Sequence, residues 1–380
     1  MGRPDPEQIP LARPEIGARE EELVLEVLRS GQLSLGPMSE RFERSFAEWL
    51  GVEDAVAVSS GTTGLHLGVR ALGWGSGDEV LTSPLSFVAS ANCLLYEGAR
   101  PVFCDVDPVT LNLDPQAAAA AVGERSVGIL PVHIFGWPAA MSELEALAAK
   151  HDLGVLEDAC EALGAVDSEG RNVGARGSLA TFAFYANKQM TTGEGGMVVS
   201  PDASTAARLR SERNQARAAD MGWLDHGGLG FNYRLSDVAA ALGLAQVEKL
   251  AEMLSARDRV ATMYAERLRG IEGVEPPIAT REAERRSWFV YVVRLDDEID
   301  RDATIARLAE RGVASKAYLP CIHLFPHLRE LGYREGQFPV AEAASMHSLA
   351  LPFFPSLHEA QVDRVCQELA KAVGQGAFRE

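Results

Sequence analysis

Lysine is the rarest charged side chain in this 380-residue chain, present only as Lys150, Lys188, Lys249, Lys316 and Lys371. Cysteine is as sparse. Cys93, Cys104, Cys160, Cys321 and Cys366 are scattered, odd in number and without a C-x-x-C pair, which fits reduced thiols better than a disulfide framework. No apolar run reaches the roughly 18 residues that a membrane-crossing helix needs, and Met1 to Pro14 lacks a basic-apolar leader. The expected location is therefore cytoplasmic, with no membrane partner. Positive charge is also in deficit: the formal net charge of −18 argues against a general nucleic-acid partner, while leaving room for a local phosphate pocket. No internal repeat or low-complexity stretch stands out.

What is present is a large apolar fraction, 47% of residues, ample for sizeable cores, at a length that predicts two domains or a little more. The first ten residues are polar and Pro-rich and read as a flexible arm. Helices are expected over Arg19 to Arg29, with Leu23, Val24, Val27 and Leu28 on one face, and over Met38 to Leu50, with Phe42, Phe46 and Trp49 in a stripe. From Glu79 to Leu156 short apolar strands alternate with helices, the pattern of a mostly parallel sheet wrapped by helices. In such a sheet ligands collect beyond the carboxyl ends of the strands. Helical periodicity then runs through Leu268 and is broken by Gly270 to Pro277. The domain change is placed near Leu254, giving a large α/β unit over 1–254 and a smaller C-terminal α+β unit over 255–380.

Four of the five lysines sit on helical or polar stretches where a solvated ammonium is the easy reading. Lys188 differs. It follows the aromatic strand Thr181 to Tyr185 and precedes the apolar strand Met197 to Val199, so it is either a surface lysine on a hairpin loop or an amine among apolar walls. In the second case desolvation favours the neutral amine and prepares a nucleophile or base of the Schiff-base kind.

Four other stretches carry chemistry. Strand Ala55 to Val58 runs into Ser59-Ser60-Gly61-Thr62-Thr63-Gly64 and a helix, which presents free N–H groups and a positive dipole end to a phosphate or merely caps the helix. Glu157 and Asp158 end the strand at Leu156, where adjacent carboxylates are costly unless a cation meets one of them: a cofactor's ring nitrogen, or an arginine such as Arg176. Phe87 either stacks on a planar ring or fills the core, and His133 either lines a pocket or is a satisfied core histidine. The G-W-G-S-G run at Gly73 follows a helix instead of a strand and reads as a loop. His323 and His327 stand four apart, but Pro326 lies between them and no E-x-x-H partner is present, so no metal is expected.

The string Y-A-N-K-Q-M-T-T-G-E-G-G around Lys188 resembles the cofactor-lysine motif of the DegT/DnrJ/EryC1/StrS family of pyridoxal 5'-phosphate (PLP) sugar aminotransferases, and the resemblance recurs from Ile9 to about Val365. It implies the type I fold of PLP enzymes. It also implies that Lys188 bonds to PLP, that Asp158 binds the ring nitrogen, that Phe87 covers the ring, and that Gly61 and Thr62 belong to the phosphate cup. Three departures are visible. Glu161 stands where a glutamine is common and would face the cofactor's phenolic oxygen; an ionised glutamate only accepts hydrogen bonds, so it must be protonated, turned aside or answered by another donor. Ala183 stands where many relatives carry a phosphate-binding serine, and Ala139 and Ala140 occupy positions where an aspartate usually precedes the methionine.

By the same resemblance Asn232, in G-F-N-Y-R, reaches the phosphate of a neighbouring subunit's cofactor, which implies a homodimer with shared sites. Arg234 either holds a substrate carboxylate or sugar phosphate, or is a structural ion-pair arginine. Tyr318 and His323 match a family segment at the mouth of the site. The implied reaction is transamination of a keto group on a nucleotide-linked sugar, with L-glutamate as donor. Relatives that dehydrate sugars replace the lysine with histidine, so Lys188 speaks against that chemistry. A ketocyclitol substrate, or a PLP-binding regulator without turnover, are the rival readings, although no basic helix-turn-helix stretch is visible for the latter.

Overall fold

The computed structural model describes residues 8–217, 225–278, 280–281 and 283–374, so most of the proposed N-terminal arm lies outside the described residues. Two helices open the chain, α1 (Ala18–Ser30) and α2 (Pro37–Leu50). Met38, Phe42, Phe46 and Leu50 recur every four residues along α2 and are all buried, so one helical face supplies a continuous apolar stripe. There follow β1 (Asp54–Val58), α3 (Gly61–Leu72), β2 (Glu79–Thr82), α4 (Ala89–Tyr96), β3 (Arg100–Phe103), α5 (Pro115–Ala121), β4 (Ser126–Leu130), α6 (Met141–His151) and β5 (Gly154–Asp158). Then come β6 (Leu179–Ala183), β7 (Gly196–Ser200), α7 (Ala203–Arg213), α8 (Asp237–Glu248) and α9 (Leu250–Leu268).

The strands form one seven-stranded sheet in the order β1-β7-β6-β5-β4-β2-β3. Pairing is parallel from β6 to β3, and only β7 runs against its neighbours, because the turn carrying Lys188 brings it straight back alongside β6. The α/β reading with a mostly parallel sheet is borne out. Alternate residues of the strands serve two cores. Val56, Val58, Leu156 and Val198 pack with α3 on one face, and Ala55, Ala57, Phe182, Met197 and Val199 pack with α1, α2 and α8 on the other. In the second core Phe46 meets Phe182 and Phe184 edge-on at 5.3 and 5.6 Å between ring centres, a favoured aromatic geometry.

Helix α9, 19 residues long, leads from this layer to β8 (Val274–Glu275), the hairpin β9 (Thr280–Arg281) and β10 (Glu284–Arg285), and β11 (Tyr291–Leu295). The chain closes with α10 (Arg301–Glu310), β12 (Lys316–Ala317), α11 (Pro326–Arg329), α12 (Pro339–His347), β13 (Ser348–Leu351) and α13 (Glu359–Gly374). Strands β12-β13-β11-β8 make a second, antiparallel sheet. Its apolar face packs on α9, α10 and α13 through Tyr264, Leu308, Val365 and Leu369. Among the described residues no helix is long and apolar enough to cross a membrane.

Candidate active site

A cavity of about 480 Å³, within the range of small-molecule sites, opens beyond the carboxyl ends of the central strands, at the start of α3. Gly61, Thr62, Phe87, Asp158, Glu161 and Lys188 all line it, and Tyr318 closes one side. Seven of the ten residues singled out from the sequence thus meet in one place.

Lys188 is delivered by a turn. Its N–H donates to the Tyr185 carbonyl, the Phe184 N–H donates to Gly195, and Gly193 adopts the left-handed backbone that lets the loop reverse. The side chain is 13% exposed, with Nζ 4.0 Å from the centre of the Phe289 ring and 3.7 Å from Glu161 Oε1. It is therefore a largely buried lysine with a ring on one side and a carboxylate on another, not a loop-tip lysine. Phe289, about a hundred positions away in sequence, carries no local signal of that role.

Glu157 and Asp158 end β5 with side chains on opposite faces. Glu157 is fully buried and accepts from Ser178 Oγ at 2.7 Å and the Gly174 N–H at 3.1 Å, with His133 Nε2 at 3.1 Å. Burial opposes its charge, but these hydrogen bonds prevail and hold its carboxyl below the usual carboxylate range. His133 also accepts the Ala139 N–H at 2.9 Å, so it is a satisfied core histidine. Asp158 faces the cavity. It accepts from Ser90 Oγ at 2.7 Å and from the Cys160 N–H at 3.1 Å, and among the described residues it has no ion pair. Arg176 is not its partner; that guanidinium is engaged by Glu145 and Asp167.

Ser90 itself takes part in a contact with Ser86 Oγ at 2.7 Å, so a hydroxyl chain backs the carboxylate. The sequence gives no sign of this, because a serine on α4 looks like any small residue of a buried helix. Phe87 lies just ahead of α4, is 60% exposed and lines the cavity, so it is not a core phenylalanine. Glu161 is buried, with Oε2 accepting the Phe135 N–H at 2.9 Å. Burial pushes its pKa above the usual range, against the pull of the nearby Lys188 ammonium.

At the other end, Ser60 caps α3 by accepting the Thr63 N–H, while the N–H groups of Gly61 and Thr62 fall in the first turn, where no carbonyl of the helix reaches them. A Cβ on Gly61 would come within 2.7 Å of Ala183 Cβ and 2.9 Å of Cys160 Sγ, so glycine here lets α3 start hard against β6. Three expected site residues stand elsewhere in this chain. His323 is buried beside Phe338 with Nε2 3.1 Å from Glu342, and it does not line the cavity; burial lowers its pKa while Glu342 opposes the shift. Asn232 is exposed, and Arg234 donates to Asn214 Oδ1 at 2.9 Å; neither lines the cavity.

The model of the DegT/DnrJ/EryC1/StrS aminotransferase family matches residues 14–370, and the chain belongs to that family. It is accordingly a PLP-dependent aminotransferase with the fold of those enzymes. It is 38% identical to GDP-perosamine synthase of Caulobacter vibrioides over 95% of this chain and 97% of that one. It is 36% identical to the spore coat polysaccharide biosynthesis protein SpsC of Bacillus subtilis, over 96% and 97% of the two chains. Among solved structures, DesV of S. venezuelae superposes with a TM-score of 0.87 at 34% identity, covering 95% of each chain. The residues present suit PLP: one cavity holds an amine, a carboxylate left without a cation among the described residues, and a helix start with free N–H groups.

Proposed function

We propose that the chain moves an amino group from L-glutamate to a keto group of a nucleotide-linked sugar. It acts in the cytoplasm as a homodimer with shared sites, divided near Leu254 into a large PLP-binding unit and a smaller C-terminal one. The observation that carries the chemistry is the meeting of Lys188, Asp158 and the start of α3 in one cavity. When bound, PLP supplies an electron sink for the carbanion formed at the substrate carbon.

The side chains do the rest. Lys188 Nζ would hold the cofactor covalently and, when displaced from it, would serve as the base and acid that moves a proton at the substrate carbon. The Phe289 ring on one side limits the water around that amine. Asp158, with Ser90 and Cys160 occupying only part of its lone-pair capacity, keeps a proton on the ring nitrogen. Phe87 covers the ring. Thr62 and the N–H groups of Gly61 and Thr62 receive the phosphate, compensating for the serine absent at Ala183. Glu161, whose pKa burial raises, lies 3.7 Å from Lys188 Nζ and would face the phenolic oxygen beside that amine.

The sugar substrate is supported by the sugar-aminotransferase relatives, 97% of whose length this chain matches. The dimer is supported by side chains that stand exposed in the single chain. Asn232 is exposed, and the cavity rim carries Phe87 and Tyr185 at 60% and 52% exposure, apolar surface that a second copy would cover. Mixing Lys188→Ala and Asn232→Ala chains, each inactive alone, then restores roughly one site in four.

The substrate test is to offer the holoprotein glutamate with a panel of nucleotide-linked keto sugars and ketocyclitols and to weigh the products. An aminated nucleotide sugar is the expected outcome. Amination of cyclitols alone overturns the substrate reading, and a cofactor spectrum unchanged by glutamate overturns turnover itself.

A further inference from the structure

Arg257, on α9, is 3% exposed, and among the described residues it has no carboxylate within ion-pair distance. All its bonded donors go to carbonyls. Nη2 donates to Lys188 O at 3.1 Å, while Nη1 donates to Phe289 O at 3.2 Å and Trp288 O at 3.3 Å. Among the described residues Nε has no partner, and the guanidinium lies 5.6 Å from the centre of the Phe353 ring. Burial pulls its pKa down to about 10. A buried cation without a counter-ion is costly, and an apolar residue of equal size would fill the same space without that cost. What an apolar residue cannot do is fork between two chain segments.

Those segments carry the cofactor lysine and the ring that lies against its amine. One is the backbone of Lys188, and the other is the backbone of Phe289, whose ring faces Nζ at 4.0 Å. We infer that Arg257 is a positioning residue: its guanidinium fixes the Lys188 backbone relative to Phe289 and so holds the amine where it must attack. This rests on Lys188 being the attachment point of PLP. In that attachment Nζ bonds to the aldehyde carbon and one water leaves, so its rate depends on where the amine is held.

The test separates covalent attachment from plain binding in the full-length protein stripped of cofactor. PLP is added and the growth of the lysine-bound absorption band is timed. In parallel, affinity is measured for pyridoxamine 5'-phosphate, which has no aldehyde and cannot bond to Lys188. Arg257→Met is expected to slow attachment about tenfold or more, with affinity for the amine form unchanged. Arg257→Lys, which keeps the charge but lacks the fork, recovers part of the rate.

Equal losses in both measurements mark a merely structural arginine and overturn the inference, as does attachment at the wild-type rate. Should Arg257→Met not fold, Arg257→Lys decides alone by the same two readings. If the wild-type chain forms no borohydride-trappable bond at Lys188, it is the underlying reading of the site that fails, and the two failures are distinguishable.

Discussion

Glu157 and Asp158 are neighbours on one strand with the same functional group, yet their surroundings differ in kind. Glu157 is turned into the protein, where a histidine, a serine and a backbone N–H use its oxygens. Asp158 is turned into the cavity, where a hydroxyl and one N–H hold it in place. The strand's two-residue period makes the separation, sending successive side chains to opposite faces. A carboxylate whose bonds are completed inside the chain is there for the fold, and one left incomplete is there for something the chain does not contain.

The comparison can be broken or sharpened by substitution. Asp158→Asn keeps the shape and removes the charge; it should lower the transamination rate by about three orders of magnitude, with the melting temperature nearly unchanged. A large loss of stability would erase the distinction. His133→Leu should do the reverse, leaving Glu157 buried with fewer partners and destabilising the fold by about 3 kcal/mol in denaturant titrations, while the folded fraction keeps the cofactor spectrum of the wild type.

Ser90→Ala removes one hydrogen bond to Asp158 and is expected to cost about tenfold in rate, visible in single-turnover kinetics. The smallest effect concerns Glu161. Because burial raises its pKa in the folded chain above the unfolded value, its stability contribution is complete below the ordinary carboxylate range and is lost as pH rises through the raised value. In the cofactor-free protein Glu161→Gln should therefore match the wild type at low pH and gain a few degrees of melting temperature over it at neutral pH.

Much of the layout was legible from periodicity. The strand-helix alternation over Glu79 to Leu156 and the end of the long helix at Leu268 agree with the structure, because both depend on local pattern. Boundaries moved by a few residues: the strand expected at Thr181 to Tyr185 is Leu179–Ala183. The cavity was legible wherever a residue sits on a turn at a strand's end, as Lys188, Asp158 and Thr62 do. Long-range contacts left no trace. Ser90, Phe289 and Arg257 drew no expectation from the sequence, because what defines each is a partner far away in sequence. His323 shows the opposite error. Its segment points to the site, but packing against Phe103 and Phe338 turns it inward.

The central claim is that one amine, on Lys188, bonds to PLP in the cavity that Asp158 lines. Borohydride reduction of the holoprotein followed by peptide mass mapping tests it directly. The account predicts a reduced pyridoxyl adduct on the peptide carrying Lys188. An adduct confined to Lys150, Lys249, Lys316 or Lys371, or none at all, would contradict it.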